Sequence, residues 1–334
     1  MRKGARSHLS HRKYLCMGKG FPFRFGLFCH NTTPSLEEMV KQASLAEQLG
    51  YNSFLLPDHI GDQFAPALAL AHIAHATTRL RIGSMVFNND LRHPILLAKE
   101  AATLDQLSHG RFELGMGAGW MESEYRQLGR SFDSPRTRIE RLTESIAVLK
   151  AFFSQEMLSF SGQHYALERV PCLPKPLQQP FPLFLGGSGK KMLSLAAREA
   201  TCVGLVPRTR HAERAGHMND VLDGEDALPE ATHEKIAWIR EAAGARFEQL
   251  ELSIILMDVC VTEDRPYALQ QYAHRLQLSP EQVERSPFLC IGTISEIAHQ
   301  VASLRNTYGI SYVVVWDEHL RSFAPVVEQM TGAK

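Results

Sequence analysis

Cysteine is scarce in this 334-residue chain, and its six copies never form a C-x-x-C pair. Cys16, Cys29, Cys172, Cys202, Cys260 and Cys290 are scattered through a chain too long to need disulfide staples. Cys29, Cys202 and Cys260 sit in apolar runs, where a free thiol behaves as a small hydrophobe, and a reducing, cytoplasmic setting is expected. Long apolar stretches are missing as well: no run reaches the roughly 18 residues that span a bilayer. A secretory signal is missing too. Arg2, Lys3, Arg6, Arg12, Lys13 and Lys19 crowd the first 20 residues without an acid or a hydrophobic stretch. Residues 1–22 therefore read as a basic, disordered arm, and the fold should start at Phe23. Net charge is absent, with 36 Lys plus Arg against 36 Asp plus Glu. That balance provides no general field for a polyanion, so neither nucleic acid nor membrane is an expected partner. No H-E-x-x-H or carboxylate cluster predicts a metal, and no G-x-S-x-G predicts an esterase-type nucleophile.

What is present is a repeated alternation. Apolar residues make up 44% of the chain, enough for a large core. Short apolar runs at 24–29, 52–57, 80–87, 112–116, 182–185, 202–206, 252–261 and 311–316 read as strands. Helical patterns at 35–49, 65–76, 95–107, 136–153, 190–200, 230–243, 294–308 and 318–330 fall between or after them. The strand runs are almost continuously apolar, as parallel strands covered on both faces should be. Eight such units predict a (β/α)8 barrel of the α/β class, with insertions after strands 4 and 6 and before strand 5. Residues 23–334 are expected to form a single domain.

In a barrel the chemistry belongs at the carboxyl ends of the strands. Polar residues and glycines collect there: His30 and Asn31, Asp58 and His59, Asn88-Asn89-Asp90, and Trp316-Asp317. Strand 4 ends in Gly115-Met116-Gly117-Ala118-Gly119-Trp120, and strand 5 in Gly186-Gly187-Ser188-Gly189 leading straight into a helix. A glycine turn that feeds a helix amino terminus offers unpaired N–H groups to a phosphate, although a tight turn needing only glycine's freedom reads the same way. The 115–119 spacing is not the dinucleotide fingerprint. A histidine at a strand end can act as an acid or base near neutral pH, although most of the 15 histidines must be structural. His93 precedes Pro94 at a helix start, where capping or rim packing is its simplest role. His30, Tyr125 and Arg208 stand in loops whose paths local patterns do not give.

Several runs resemble the bacterial luciferase-like monooxygenase superfamily. They are Leu56-Pro57-Asp58-His59, Thr78-Arg79-Leu80-Arg81-Ile82-Gly83, Asn89-Asp90-Leu91-Arg92-His93-Pro94 and the stretch 104–111, together with 115–120 and 186–189. Their order and spacing match over about residues 23–331, and the N-D-x-R-H-P run and the Asp-His pair look most like the branch that uses coenzyme F420. The resemblance implies a barrel carrying F420, or alternatively FMN, on its carboxyl rim. It places His59 near the reactive ring carbon as the acid or base, with Asp58 fixing its tautomer or the ring. It puts a non-proline cis peptide at Met85-Val86 behind the ring and Asn88 in contact with it. It takes Gly115, Gly117 and Gly119 close to the polyol and phosphate region, and Gly186, Gly187, Ser188 and Gly189 to the phosphate itself. Trp120, His30 and His93 are the candidates for the substrate pocket. Trp120 stands where relatives that oxidise glucose 6-phosphate carry glutamate, and Gln63 where they carry tryptophan, which argues against sugar-phosphate oxidation. The expected activity is hydride transfer between deazaflavin C5 and a small organic substrate. An FMNH2-dependent monooxygenase is the alternative, and a non-catalytic protein binding F420 or another phosphorylated ligand is the second. The resemblance also implies a homodimer.

Overall fold

The computed structural model describes residues 20–30, 35–208 and 223–332. Its eight barrel strands are β1 (Arg24–Phe28), β2 (Ser53–Leu56), β3 (Arg81–Ser84), β4 (Phe112–Gly117), β5 (Leu183–Gly187), β6 (Cys202–Leu205), β7 (Glu251–Ile255) and β8 (Ile310–Trp316). All pair in parallel, β1 lies between β2 and β8, and the β3–β4 pairing closes the ring. Alternate side chains of each strand point inward, and large rings opposite glycines fill the interior. A Cβ on Gly204 would lie 2.3 Å from the Phe184 ring, and one on Gly26 would lie 2.9 Å from the Tyr312 hydroxyl. The barrel interior is therefore a packed core rather than a pore.

The barrel helices are α1 (Leu36–Gln48), α2 (Pro66–Ala76), α3 (Pro94–Leu107), α4 (Pro135–Ser154), α5 (Lys190–Glu199), α6 (Pro229–Ala243), α7 (Ile294–Tyr308) and α8 (Ala324–Thr331). Local chemistry sets their starts. Ser35 caps α1 by accepting from Glu38 N–H at 3.1 Å, Thr293 and Glu296 form a capping box on α7, and proline occupies the first turn of α2, α3, α4 and α6. Met39, Ala43 and Ala46 bury one face of α1 against the sheet.

Four departures from the expected elements have physical causes. The 80–87 run is two pieces, β3 and the short strand Phe87–Asn88, separated by a cis Met85–Val86 peptide. The 252–261 run changes partner midway. Leu256 N–H still bonds Val314 of β8 at 2.8 Å, but Met257 N–H already bonds Phe288, and Asp258–Val261 pairs outside the barrel with Leu289–Gly292. The 318–330 pattern starts as a single turn, Asp317–His319, and the helix proper waits for Pro325 in its first turn. The insertion before β5 contains an antiparallel hairpin, Met157–Ser161 with Ala166–Pro171, whose short exposed strands left no clear period.

The helices Glu122–Gln127, Arg265–Leu276 and Pro280–Arg285 also lie outside the expected set. The insertion after β4 holds the first of them. Most of the segment after β6 (209–222), most of the basic arm (1–19) and Asn31 fall outside the described residues. Among the described residues no helix is long and apolar enough to cross a membrane.

Candidate active site at the carboxyl rim

Three loops at the ends of β2, β3 and β4 are tied together by buried charge. Asp58, just past β2, accepts Asn88 N–H at 2.9 Å and receives the two terminal guanidinium nitrogens of Arg92, Nη2 at 3.0 Å. Asp90 takes Arg141 at 2.6 Å and the Tyr125 hydroxyl at 3.1 Å. Burial, then the neighbouring Asp90 charge, pushes the Tyr125 phenol up to about 12, so it remains a protonated donor. These clamps hold the backbone on which the expected site residues stand.

His59 sits inside this frame. Its Nδ1 lies 2.9 Å from Glu124 Oε1, the same oxygen that accepts Ile60 N–H at 2.8 Å. The partner of His59 is therefore Glu124, which is 2% exposed, and not Asp58. The expectation that Asp58 fixes the histidine tautomer is corrected here: both Asp58 oxygens are taken by Arg92, so its own work is to join the β2 and β3 ends. Trp120 meets His59 edge to face at 5.7 Å, forming an aromatic wall beside the imidazole.

The glycines of 115–119 have reasons within the protein. A Cβ on Gly115 would sit 1.9 Å from the Ser84 carbonyl oxygen, and one on Gly117 2.6 Å from the Val86 side chain. Gly119 has φ +75° and lies against Tyr125 and Asn88. These glycines let β4 pack against the Ser84–Val86 corner, which accounts for them without a ligand. The side-chain oxygen of Asn88 faces Asp90 N–H at 3.0 Å.

The 186–189 turn behaves differently. Gly189 is the N-cap of α5, no side chain caps that helix, its first turn holds no acid, and a Cβ at Gly189 would meet nothing within 4 Å. An uncapped, unobstructed amino terminus of a ten-residue helix fits a phosphate group, whether of F420 or of FMN. Gly187 packs on Met192, and Ser188 is half-buried beside it.

His30 lies on the same rim, its Nδ1 2.7 Å from Asp317 and its ring stacked on Trp316 at 4.4 Å. Gln63 donates to the His30 carbonyl at 2.9 Å and so ties the His59 loop to β1. His93 stands apart as the N-cap of α3, accepting Ile95 N–H at 3.3 Å, with its ring edge against Tyr165. The structure thus joins His59 to Trp120 and His30 to Trp316, and uses His93 as a helix cap.

The family model described as luciferase-like monooxygenase matches residues 20–303. The chain belongs to the luciferase-like monooxygenase family. It is 29% identical over 271 residues to an F420-dependent glucose-6-phosphate dehydrogenase from Nakamurella multipartita, across 78% of this chain and 75% of the relative. It is 30% identical over 165 residues to an FMNH2-dependent dimethylsulfone monooxygenase from Pseudomonas putida, across 47% of this chain and 45% of that one. The matched segment thus spans about half, or less, of that second relative. A solved F420-dependent secondary alcohol dehydrogenase, in complex with an F420–acetone adduct, superposes with a TM-score of 0.72 at 16% identity, over 92% of this chain and 98% of its own. At that identity the likeness concerns the fold alone.

Sequence reasoning missed Glu124, Tyr125 as a clamp, and the Arg92 and Arg141 partners of Asp58 and Asp90. The available signal was weak: Glu124 and Tyr125 stand five and six residues past Gly119, and nothing local distinguishes Glu124 from the neighbouring Glu122.

Proposed function

We propose that the protein is an F420-dependent oxidoreductase that moves a hydride between the deazaflavin and a small organic substrate. The observation carrying this reading is His59: a strand-end imidazole anchored through Nδ1 to a buried carboxylate, beside an aromatic wall. Deazaflavin, when bound, supplies an obligate hydride carrier, so the protein must orient it and manage one proton. Gly189 and the following α5 N–H groups would hold its phosphate. The Ser84–Val86 corner, braced by Gly115 and Gly117, would support its ring. His59 gives or takes the proton through Nε2, and the exposed Trp120 ring beside it offers an apolar wall for the substrate.

A second reading, the FMNH2-dependent monooxygenase, is favoured by the same Trp120 wall and by the similarity to the dimethylsulfone monooxygenase. Titration of the purified protein with F420 and with FMN, followed by turnover assays with and without oxygen, separates the two. F420 binding with oxygen-independent hydride exchange is expected. Exclusive FMN binding with oxygen consumption would overturn the proposal.

A further inference from the structure

We infer that Glu124 is the positioning residue of this site: it holds His59 with the proton on Nδ1 and leaves Nε2 as the nitrogen that exchanges a proton with substrate. The inference rests on the reading of His59 as the proton-handling group, and its test can fail independently of that reading.

Three observations carry it. Glu124 Oε1 lies 2.9 Å from His59 Nδ1, and the Glu124 side chain is 3% exposed. The same oxygen accepts Ile60 N–H at 2.8 Å, so it is an acceptor in this geometry and Nδ1 must be the donor. The nearer acid in sequence, Asp58, is closed off by Arg92 and Asn88 N–H. When Nε2 gains a proton, the imidazolium faces a carboxylate that was already in place, so no group has to reorganise to meet the new charge. When Nε2 loses it, the Nδ1 proton stays where it was. One proton enters or leaves, and one N–H bond forms or breaks.

The helix that carries Glu124 explains how this geometry is fixed. Tyr125, the next residue, reaches the Asn88–Asp90 turn while Glu124 reaches the β2 loop. A short helix pinned on both sides fixes the position of His59 relative to the β3 corner.

A structural role for Glu124 as an anchor for Ile60 predicts the same stability losses, so the test reads the tautomer. Nitrogen-15 NMR of the cofactor-free full chain at about pH 8.5, above the histidine range, reports which ring nitrogen carries the proton. Wild-type His59 is expected to show Nδ1 as the protonated, pyrrole-type nitrogen. Glu124→Gln retains an oxygen that accepts both donors, so it keeps that tautomer while losing the charge. Glu124→Met removes the acceptor, and the Nε2-protonated form should become dominant. In the oxygen-independent assay, turnover is expected to fall by about 10²-fold in Glu124→Met and by less in Glu124→Gln.

An Nε2-protonated His59 in the wild type or in Glu124→Gln overturns the inference, even if the Met variant does not fold. So does an unchanged tautomer in a folded Glu124→Met. His59→Ala serves as the separate control: undiminished turnover there removes His59 from the reaction without touching the NMR result.

Discussion

At the amino-terminal end of the barrel, Arg24 spans Glu113 at 2.6 Å and Glu251 at 2.7 Å, lies over the Tyr312 ring, and shares Glu113 with Arg81. At the carboxyl rim, Asp58, Asp90 and Glu124 are each held by cations or N–H donors as well. The lower cluster is built from strand residues that pair mainly with one another, Arg81 reaching out to Gln178 at 2.8 Å, and it lines a cavity of about 480 Å³. The upper clusters lie on loops and helices beyond the strand ends, and each ends on a group of a different kind: the backbone of Asn88, the Tyr125 hydroxyl, the imidazole of His59. Charge at one end ties strands to one another, and charge at the other ends on an imidazole, the group proposed to handle the proton.

The family-like motifs divide the same way. Arg111 caps the end of α2 and its loop through Ala74, Thr77 and Leu80 carbonyls, and fully buried Asp105 accepts Leu177 and Gln178 N–H at 2.7 and 3.0 Å. Runs that look alike as signatures thus serve stability at one end and the site at the other.

The contrast can be broken by experiment. Arg24→Met leaves Glu251 without its cation in a dry setting and should cost about 3–5 kcal/mol by denaturant unfolding. The turnover of the folded fraction should be preserved. Loss of turnover with intact stability would reverse the division of labour.

A smaller effect separates the two carboxylates of the lower cluster. Burial pushes Glu113 up, but Arg24 and Arg81 outweigh it and hold it below the usual value of 4.5. The stability it contributes is present above that value and is lost as pH falls through the folded one. Burial pushes Glu251 up as well, and there Arg24 offsets only part, so its value ends above 4.5. Its ionisation therefore lowers stability as pH rises from the usual value through the raised one. Melting temperatures between about pH 3 and about pH 8 should show Glu113→Gln flattening the acid-side loss and Glu251→Gln removing the penalty at rising pH. Matching profiles would mean that the pair shares its charge evenly.

The smallest expected effect is at the rim. Gly189→Ala has open space and an ordinary backbone, so stability should change by about 0.5 kcal/mol or less. Affinity for a phosphate-bearing cofactor should nevertheless fall, because the new methyl lies at the approach to the α5 amino terminus. Unchanged affinity would move the phosphate elsewhere.

The eight-fold alternation, the parallel runs and the polar carboxyl rim were legible because strand and helix periods are local properties of neighbouring residues. So was the rim position of His59, since it follows directly from where β2 ends. Which carboxylate serves that histidine was not legible. Asp58 is one residue away but turns to Arg92, whereas Glu124 is 65 residues away and arrives on a short helix that only the folded rim positions. Likewise the glycines of β4 announced a close approach, and only packing revealed that the approaching atoms are Ser84 and Val86. Sequence determined the barrel and the rim on which its polar residues and glycines gather. Tertiary structure decided the pairing of acid with base, because a hydrogen bond depends on the path of loops through space and not on distance along the chain.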